Sequence, residues 1–325
     1  MKLLIKGMLC ASLVVSSVMS QEAVKVVAKE PTAMKNTAAD IEIVTSENVD
    51  RKITPASIEQ AFKDAGFVIS ANRDMNGPFV KQFKESGFDI YNLFTLYKPD
   101  TVLELVKKYP NVGLFAPMSM SIYTKKGEKK ISVSSLTAEA MAKIMKAPSD
   151  DKILHDLRAL VKQTLKKAMP NGSFETLPYE QTDVKGELVT SFSMEMDPDE
   201  WEDQLDEFKM GFEGELAPNG FVIAGHNNLG DDFEESNYNA FDFYEVYSIC
   251  KLPVIYTVAK TRPEAGAYAP CSLYLSKKKD EEMMQVGFPS VYNWMSSMAI
   301  ESKEDLEVLE NAQAGMKKIL SGLTE

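Results

Sequence analysis

The sequence predicts an α/β protein of the α+β kind, made of two tandem copies of a two-layer sandwich with a mixed β-sheet. Three observations predict it. The second half repeats the first: a shift of 153 positions sets Phe88-Asp89-Ile90-Tyr91 on Phe241-Asp242-Phe243-Tyr244, Ala116-Pro117 on Ala269-Pro270 and Lys125-Lys126 on Lys278-Lys279. Within each copy, single strands, hairpins and helices mix without strict strand–helix alternation, which suits helices layered on a sheet. At 325 residues, with a hydrophobic fraction of 44%, each half can bury its own core.

The elements follow in order. Ile41-Glu42-Ile43-Val44 reads as a strand. Thr54-Pro55 opens a helix, with Thr as N-cap and Pro at the first helical position. Ile58, Ala61, Phe62 and Ala65 form its apolar face, Gly66 ends it, and Phe67-Val68-Ile69 starts the next strand. In the second copy Glu187 to Thr190 is a strand, and Asp197-Pro198 caps a helix with Glu200 placed for a capping box. Trp201, Leu205, Phe208 and Phe212 make that helix's stripe, and Gly220-Phe221-Val222-Ile223 parallels Gly66 to Ile69. The second copy is longer here, with an insertion expected near Gly211 to Pro218.

Downstream the copies stay in step. Tyr91–Leu96 and Tyr244–Ile249 are strands, Asp100–Tyr109 and Pro253–Arg262 helices, and Leu114–Tyr123 and Tyr268–Leu275 strands with hairpin partners. Ser149 and Ser302, in register, cap the last helices. The expected division is signal peptide 1–20, flexible leader 21–40, first copy 41–169, linker 170–185 and second copy 186–325.

Lys2 and Lys6, the short apolar run Met8–Val15 and the small residues before Gln21 have the form of a secretory signal. A periplasmic or secreted protein is expected, with no membrane span after cleavage. Loss of the signal would remove Cys10 and take the formal charge from −12 to −14. Such acidity excludes a nucleic-acid partner, because phosphate contacts need clustered Lys and Arg. The sequence has neither a glycine-rich phosphate loop, nor a dinucleotide fingerprint, nor a serine nucleophile elbow, and two histidines suggest no triad. No cofactor is expected.

Chemistry would sit at Cys250 and Cys271, where the first copy has Tyr97 and Met118. The two positions change together, as they would if one sulfur favoured the other. Cys250 ends a strand just before a helix, with Lys251 adding positive charge, and Cys271 follows Pro270 into a strand. Three readings stand open: a structural disulfide closing a loop of about 20 residues, worth roughly 3 kcal/mol; two reduced, buried thiols; or a redox or ligand site. His226, read in a loop with Asn227, Asn228, Asp231 and Asp232, is a candidate metal ligand, against simple turn chemistry recurring from Asn72 to Gly77. The pairs Met118/Met120 and Met194/Met196 are core filler or, alternatively, copper ligands.

Ile249-Cys250-Lys251-Leu252-Pro253, then Ala269-Pro270-Cys271-Ser272-Leu273, together with Gly220-Phe221-Val222, resembles the bacterial family called domain of unknown function 302. Lys251-Leu252 replaces that family's Asn-Pro, with Pro253 one place later. The resemblance is best over 185–290 and covers 41–136 without either cysteine. It implies a compact α/β domain that pairs with another copy, hence a covalently linked pseudo-dimer here, and it implies no reaction. The expected function is therefore an exported, non-catalytic protein binding a small ligand or a protein, in the cleft between copies or at the cysteine-bearing edge. The alternatives are a thiol–disulfide protein using Cys250 and Cys271, and a metal carrier.

Overall fold

The structure, a computed structural model, describes residues 39–325. The expected signal and nearly all of the expected leader lie outside them. The first copy runs β1 (Ile41–Glu47), α1 (Pro55–Asp64), β2 (Val68–Asp74), α2 (Asn76–Phe83), β3 (Phe88–Tyr97), α3 (Pro99–Val106), β4 (Met118–Lys125), β5 (Lys130–Leu136), α4 (Ala138–Met145), α5 (Lys152–Ala168) and β6 (Ser173–Thr176). The second runs β7 (Val189–Glu195), α6 (Trp201–Leu216), β8 (Val222–Asn228), α7 (Leu229–Glu235), β9 (Phe241–Cys250), α8 (Leu252–Ala259), β10 (Cys271–Lys278), β11 (Met283–Pro289), α9 (Tyr292–Ser297) and α10 (Lys303–Thr324). Strand order is β2-β3-β4-β5-β1-β6 in one sheet and β8-β9-β10-β11-β7 in the other, the same path twice.

Every strand pair among the described residues is antiparallel, which corrects the mixed sheet. The reason is topological. The β1→β2 and β7→β8 connections carry a long helix and deliver the chain to the opposite edge of the sheet, so they create no parallel neighbours. The segment read as linker contributes β6, paired with β1. Asp40, read as the leader's last residue, is buried, and its carboxylate accepts from Ser297 Oγ at 2.6 Å.

Thr54 caps α1 as expected, its side chain accepting from Ser57 N–H, and Pro55 opens the helix. Gly66 (φ +80°) and Gly220 (φ +77°) close α1 and α6 in the left-handed region, where a Cβ is strained. Two expected caps differ. Asp151, not Ser149, caps α5: its carboxylate reaches the N–H groups of Ile153 and Leu154 at 2.9 and 3.2 Å and also suits the helix dipole. The Ser149 carbonyl instead faces the His155 ring. Asp197 turns back on Asp199 N–H, so α6 starts at Trp201 without a side-chain cap and the box with Glu200 does not form. The extra length of the second copy runs unbroken through Gly211: α6 has 16 residues against 10 in α1.

Each sheet holds its long helices on one face. Phe94, Leu96 and Met120 pack with Phe62 and Val161 in the first copy, and Tyr247 and Phe243 meet Phe212 and Trp201 in the second. Methionines 118, 120 and 196 are buried in this apolar packing and Met194 lies against it. The other face of each sheet meets the other copy, as the pseudo-dimer expectation holds, and both belong to one compact unit. The contact is reciprocal, the mark of two-fold pairing. Ser119 Oγ donates to the Pro270 carbonyl and Ser272 Oγ to that of Pro117, both at 2.8 Å. Tyr91 OH donates to the Pro263 carbonyl at 3.0 Å and Tyr244 OH to that of Pro110 at 2.8 Å. Both Pro117 and Pro270 follow cis peptide bonds.

Glu264 lies buried in a 3₁₀ turn (Pro263–Ala267) at this contact, where its carboxylate accepts from Tyr179 OH. Burial pushes its pKa above the usual 4.5, against the opposing hydrogen bond from Tyr179. A raised carboxyl stabilises the fold below the unfolded value, and that contribution is lost as pH rises through the folded one. Glu264→Gln keeps the acceptor oxygen and has no proton to lose. Its melting temperature is therefore expected to gain on wild type progressively as pH rises above 4.5, and a pH-independent difference would remove this account.

Candidate functional site

β9 ends at Cys250, Lys251 is the N-cap of α8, and Cys271 opens β10 next door. Cys271 sits opposite Ile249 in the β9–β10 register. The pleat therefore sends Cys271, with Ile249 and Leu273, toward the helices, while Cys250 leaves the sheet on the face that meets the first copy. Both thiols are free. Cys271 Sγ donates to the Tyr268 carbonyl at 3.4 Å. Burial raises each thiol to about 12; for Cys250 the neighbouring Cys271 adds to this, and for Cys271 the Trp294 indole opposes it. Burial thus works against the thiolate form of either cysteine.

Despite leaving opposite faces, the two cysteines border one cavity of about 60 Å³, walled by Phe221, Ile255, Leu273, Trp294, Leu309 and Met316 among others. The same place in the first copy is bordered by Tyr97, Met118 and Met141, the counterparts of Cys250, Cys271 and Trp294, and holds about 10 Å³. Tyrosine and methionine are larger than the two cysteines that replace them, while Trp294 is larger than Met141.

A second, larger space adjoins it. A cleft of about 550 Å³ runs between the copies, with Arg73, Pro78, Gln82 and Leu93 on one wall and Val222, Ile223, Leu252 and Pro270 on the other. Phe221, Cys250 and Lys251 border both spaces. Val222 and Ile223 are 53% and 41% exposed, high for β-branched strand residues.

Two-fold pairing creates a matching place on the other side, and there Tyr97 OH donates across the interface to Asp232 Oδ2 at 2.8 Å. Cys250 takes the position of Tyr97. Pro78 takes that of Asp232, because β2/α2 and β8/α7 correspond at a shift of 154. One bridge is present; its counterpart is replaced by two groups that cannot bond across, and the cleft lies there. Sequence comparison located Cys250 but not Pro78, since the one-residue change of register hid the match.

Lys251 also differs from its counterpart. Lys98 pairs with Asp100 at 3.0 Å. Pro253 stands at the position of Asp100, and among the described residues no carboxylate pairs with Lys251. Its Nζ lies 4.5 Å from the centre of the Phe221 ring, and burial lowers its pKa. Pro270 forms part of the cleft wall.

His226 is on strand β8, not in a loop, and Asp231 and Asp232 are on α7. Its Nε2 lies 2.6 Å from Glu245 Oε2, and Lys209 Nζ donates to Glu245 Oε1 at 2.9 Å. Burial pushes the Glu245 carboxyl up, but these hydrogen bonds outweigh it and hold it below the usual range. Asn227 Oδ1 accepts from Ser70 Oγ across the interface. Among the described residues no three His, Cys, Asp or Glu side chains gather in a way that could hold a metal ion. No helix among them is long and apolar enough to cross a membrane.

Comparison with known proteins agrees with the repeat. The family described as "Domain of unknown function DUF302" matches residues 42–170 and again 200–323. No curated protein matches. One similar solved structure is that of an uncharacterized conserved protein DUF302 from Bacillus stearothermophilus, at 13% identity and a TM-score of 0.36, covering 43% of this chain and 100% of that one. The chain therefore belongs to the DUF302 family, whose domain it carries twice in succession.

Proposed function

We propose that this is an exported, non-catalytic binding protein whose ligand occupies the cleft between the copies. One observation carries the reading. Of two places related by the pairing, one is bridged by Tyr97–Asp232, and the other has neither bridging group and adjoins a cleft of about 550 Å³, within the range typical of ligand pockets. The thiol–disulfide alternative needs a thiolate, and the burial of both cysteines works against one.

Trp294 borders the inner cavity and Trp201 stacks on Phe243, so a Trp201→Phe variant reports from the site alone. Titration with the neutral probe N-phenyl-1-naphthylamine is expected to quench Trp294 saturably, at one probe per chain. Absence of saturable binding would sink the cleft reading. Intact mass of protein recovered from the periplasm or medium is expected to lack residues 1–20; a chain retaining them inside the cell would sink the export reading.

A further inference from the structure

We propose that the ligand is a small amphipathic anion, with its apolar end in the cavity between Cys250 and Cys271 and its anionic group at Lys251; this rests on the cleft as the binding site. Lys251 stands at the junction of the two spaces. Its stem crosses the sterically open position of Gly220, where an added Cβ would lie 3.6 Å from Lys251 Cε, and its ammonium rests over Phe221. A half-buried cation without a counterion is costly, and in the first copy the corresponding Lys98 has Asp100, an exposed carboxylate, beside it. In the second copy Pro253 stands at that position, so a ligand can supply the carboxylate.

The remaining charges of the cleft leave room for this role. Arg73 Nη2 donates to the Ala224 carbonyl at 3.5 Å, and Asp74 Oδ1 accepts from Asn76 N–H at 3.1 Å. With Lys251 the cleft carries one net positive charge.

Inside the cavity, polarity is low. Gln313 is the one amide there, and both its ends are engaged: Oε1 accepts from Val291 N–H at 3.1 Å and Nε2 donates to Thr190 Oγ1 at 2.6 Å. Both thiols are held neutral by burial. At 60 Å³ the cavity has room for about four water-sized groups, the end of an alkyl chain rather than a ring system. The cleft opens outside it at Lys251, where the anionic group lies.

Titration calorimetry with octanoate, and with 1-octanol as its neutral homologue, tests this. Octanoate is expected to bind one per chain at least tenfold more tightly than 1-octanol. Lys251→Met is expected to remove that preference, bringing octanoate binding to within about threefold of 1-octanol in the same variant, and Lys251→Arg to retain it. Circular dichroism confirms folding of both variants. Equal binding of the two ligands by wild type, or a preference untouched in Lys251→Met, overturns the anion proposal and leaves the cleft reading standing. If neither these ligands nor N-phenyl-1-naphthylamine binds, both fall.

Discussion

Gly266→Ala is expected to destabilise the protein by about 3 kcal/mol, the upper end of overpacking costs, although it adds a single methyl group. A Cβ at Gly266 would lie 2.4 Å from Ser121 Cβ and 3.0 Å from Ser121 Cα, on the central sheet of the other copy. Backbone cannot swing aside as a side chain can, so the copies must separate. Separation also strains the hydrogen bonds clustered there: Ser121 Oγ to the Pro263 carbonyl at 3.0 Å and Ser134 Oγ to that of Glu264 at 2.9 Å, each worth about 1 kcal/mol. Gly214→Ala is the control. Gly214 lies in α6 with nothing within 4 Å of its would-be Cβ, and removal of a helical glycine there is expected to stabilise by about 0.5–1 kcal/mol. Urea denaturation of the two variants checks both signs; a Gly266→Ala protein as stable as wild type would show that the copies do not pack at this distance.

Rebuilding the lost bridge should close the site. The triple variant Cys250→Tyr, Cys271→Met and Pro78→Asp gives the second copy the groups found at the matching place in the first. Tyrosine at 250 can then donate to aspartate at 78, as Tyr97 does to Asp232. Methionine at 271 refills a cavity that narrows from about 60 to about 10 Å³ where Met118 is present. Aspartate also suits position 78, in the first turn of α2. Probe binding is expected to fall at least tenfold while the urea midpoint holds or rises. Undiminished binding at wild-type stability would place the ligand elsewhere.

Much of this fold was readable before any coordinates. Phe88–Tyr91 against Phe241–Tyr244 revealed the duplication, and Thr54-Pro55, Gly66 and Gly220 marked helix ends by chemistry that acts locally. What stayed hidden depends on distant partners. Both faces of each sheet are covered, so central strands such as β3 and β9 are buried almost throughout, as parallel strands also are, and their apolar pattern could not decide the sense of the sheet. Helices of 8 and 7 residues, α2 and α7, are too short to display a helical period, which is why Asp231 and Asp232 read as part of a loop. Asp151 and Ser149 are both good caps two residues apart, and only the chain's path chose between them.

The site divides the same way. Comparing copies position by position picked out Cys250 and Cys271, because a residue pair that departs from its own duplicate is visible without coordinates. The faces they occupy were not visible, since they turn on Cys271 lying opposite Ile249 rather than Cys250. Pro78 and Gln82 emerged only once the first copy was seen to form the opposite wall.

The reciprocal seam between the copies has a consequence that two identical chains could not share. In a homodimer every substitution appears on both sides of the axis, so weakening one brace weakens its twin. Fusion into a single polypeptide releases that constraint. Here one half can remain a strut, held by Tyr97 on Asp232, while its sibling trades rigidity for a hollow. If the cleft is the binding site proposed, unequal divergence of the two halves leaves a single seat, and its occupancy is expected to show no cooperativity within a chain.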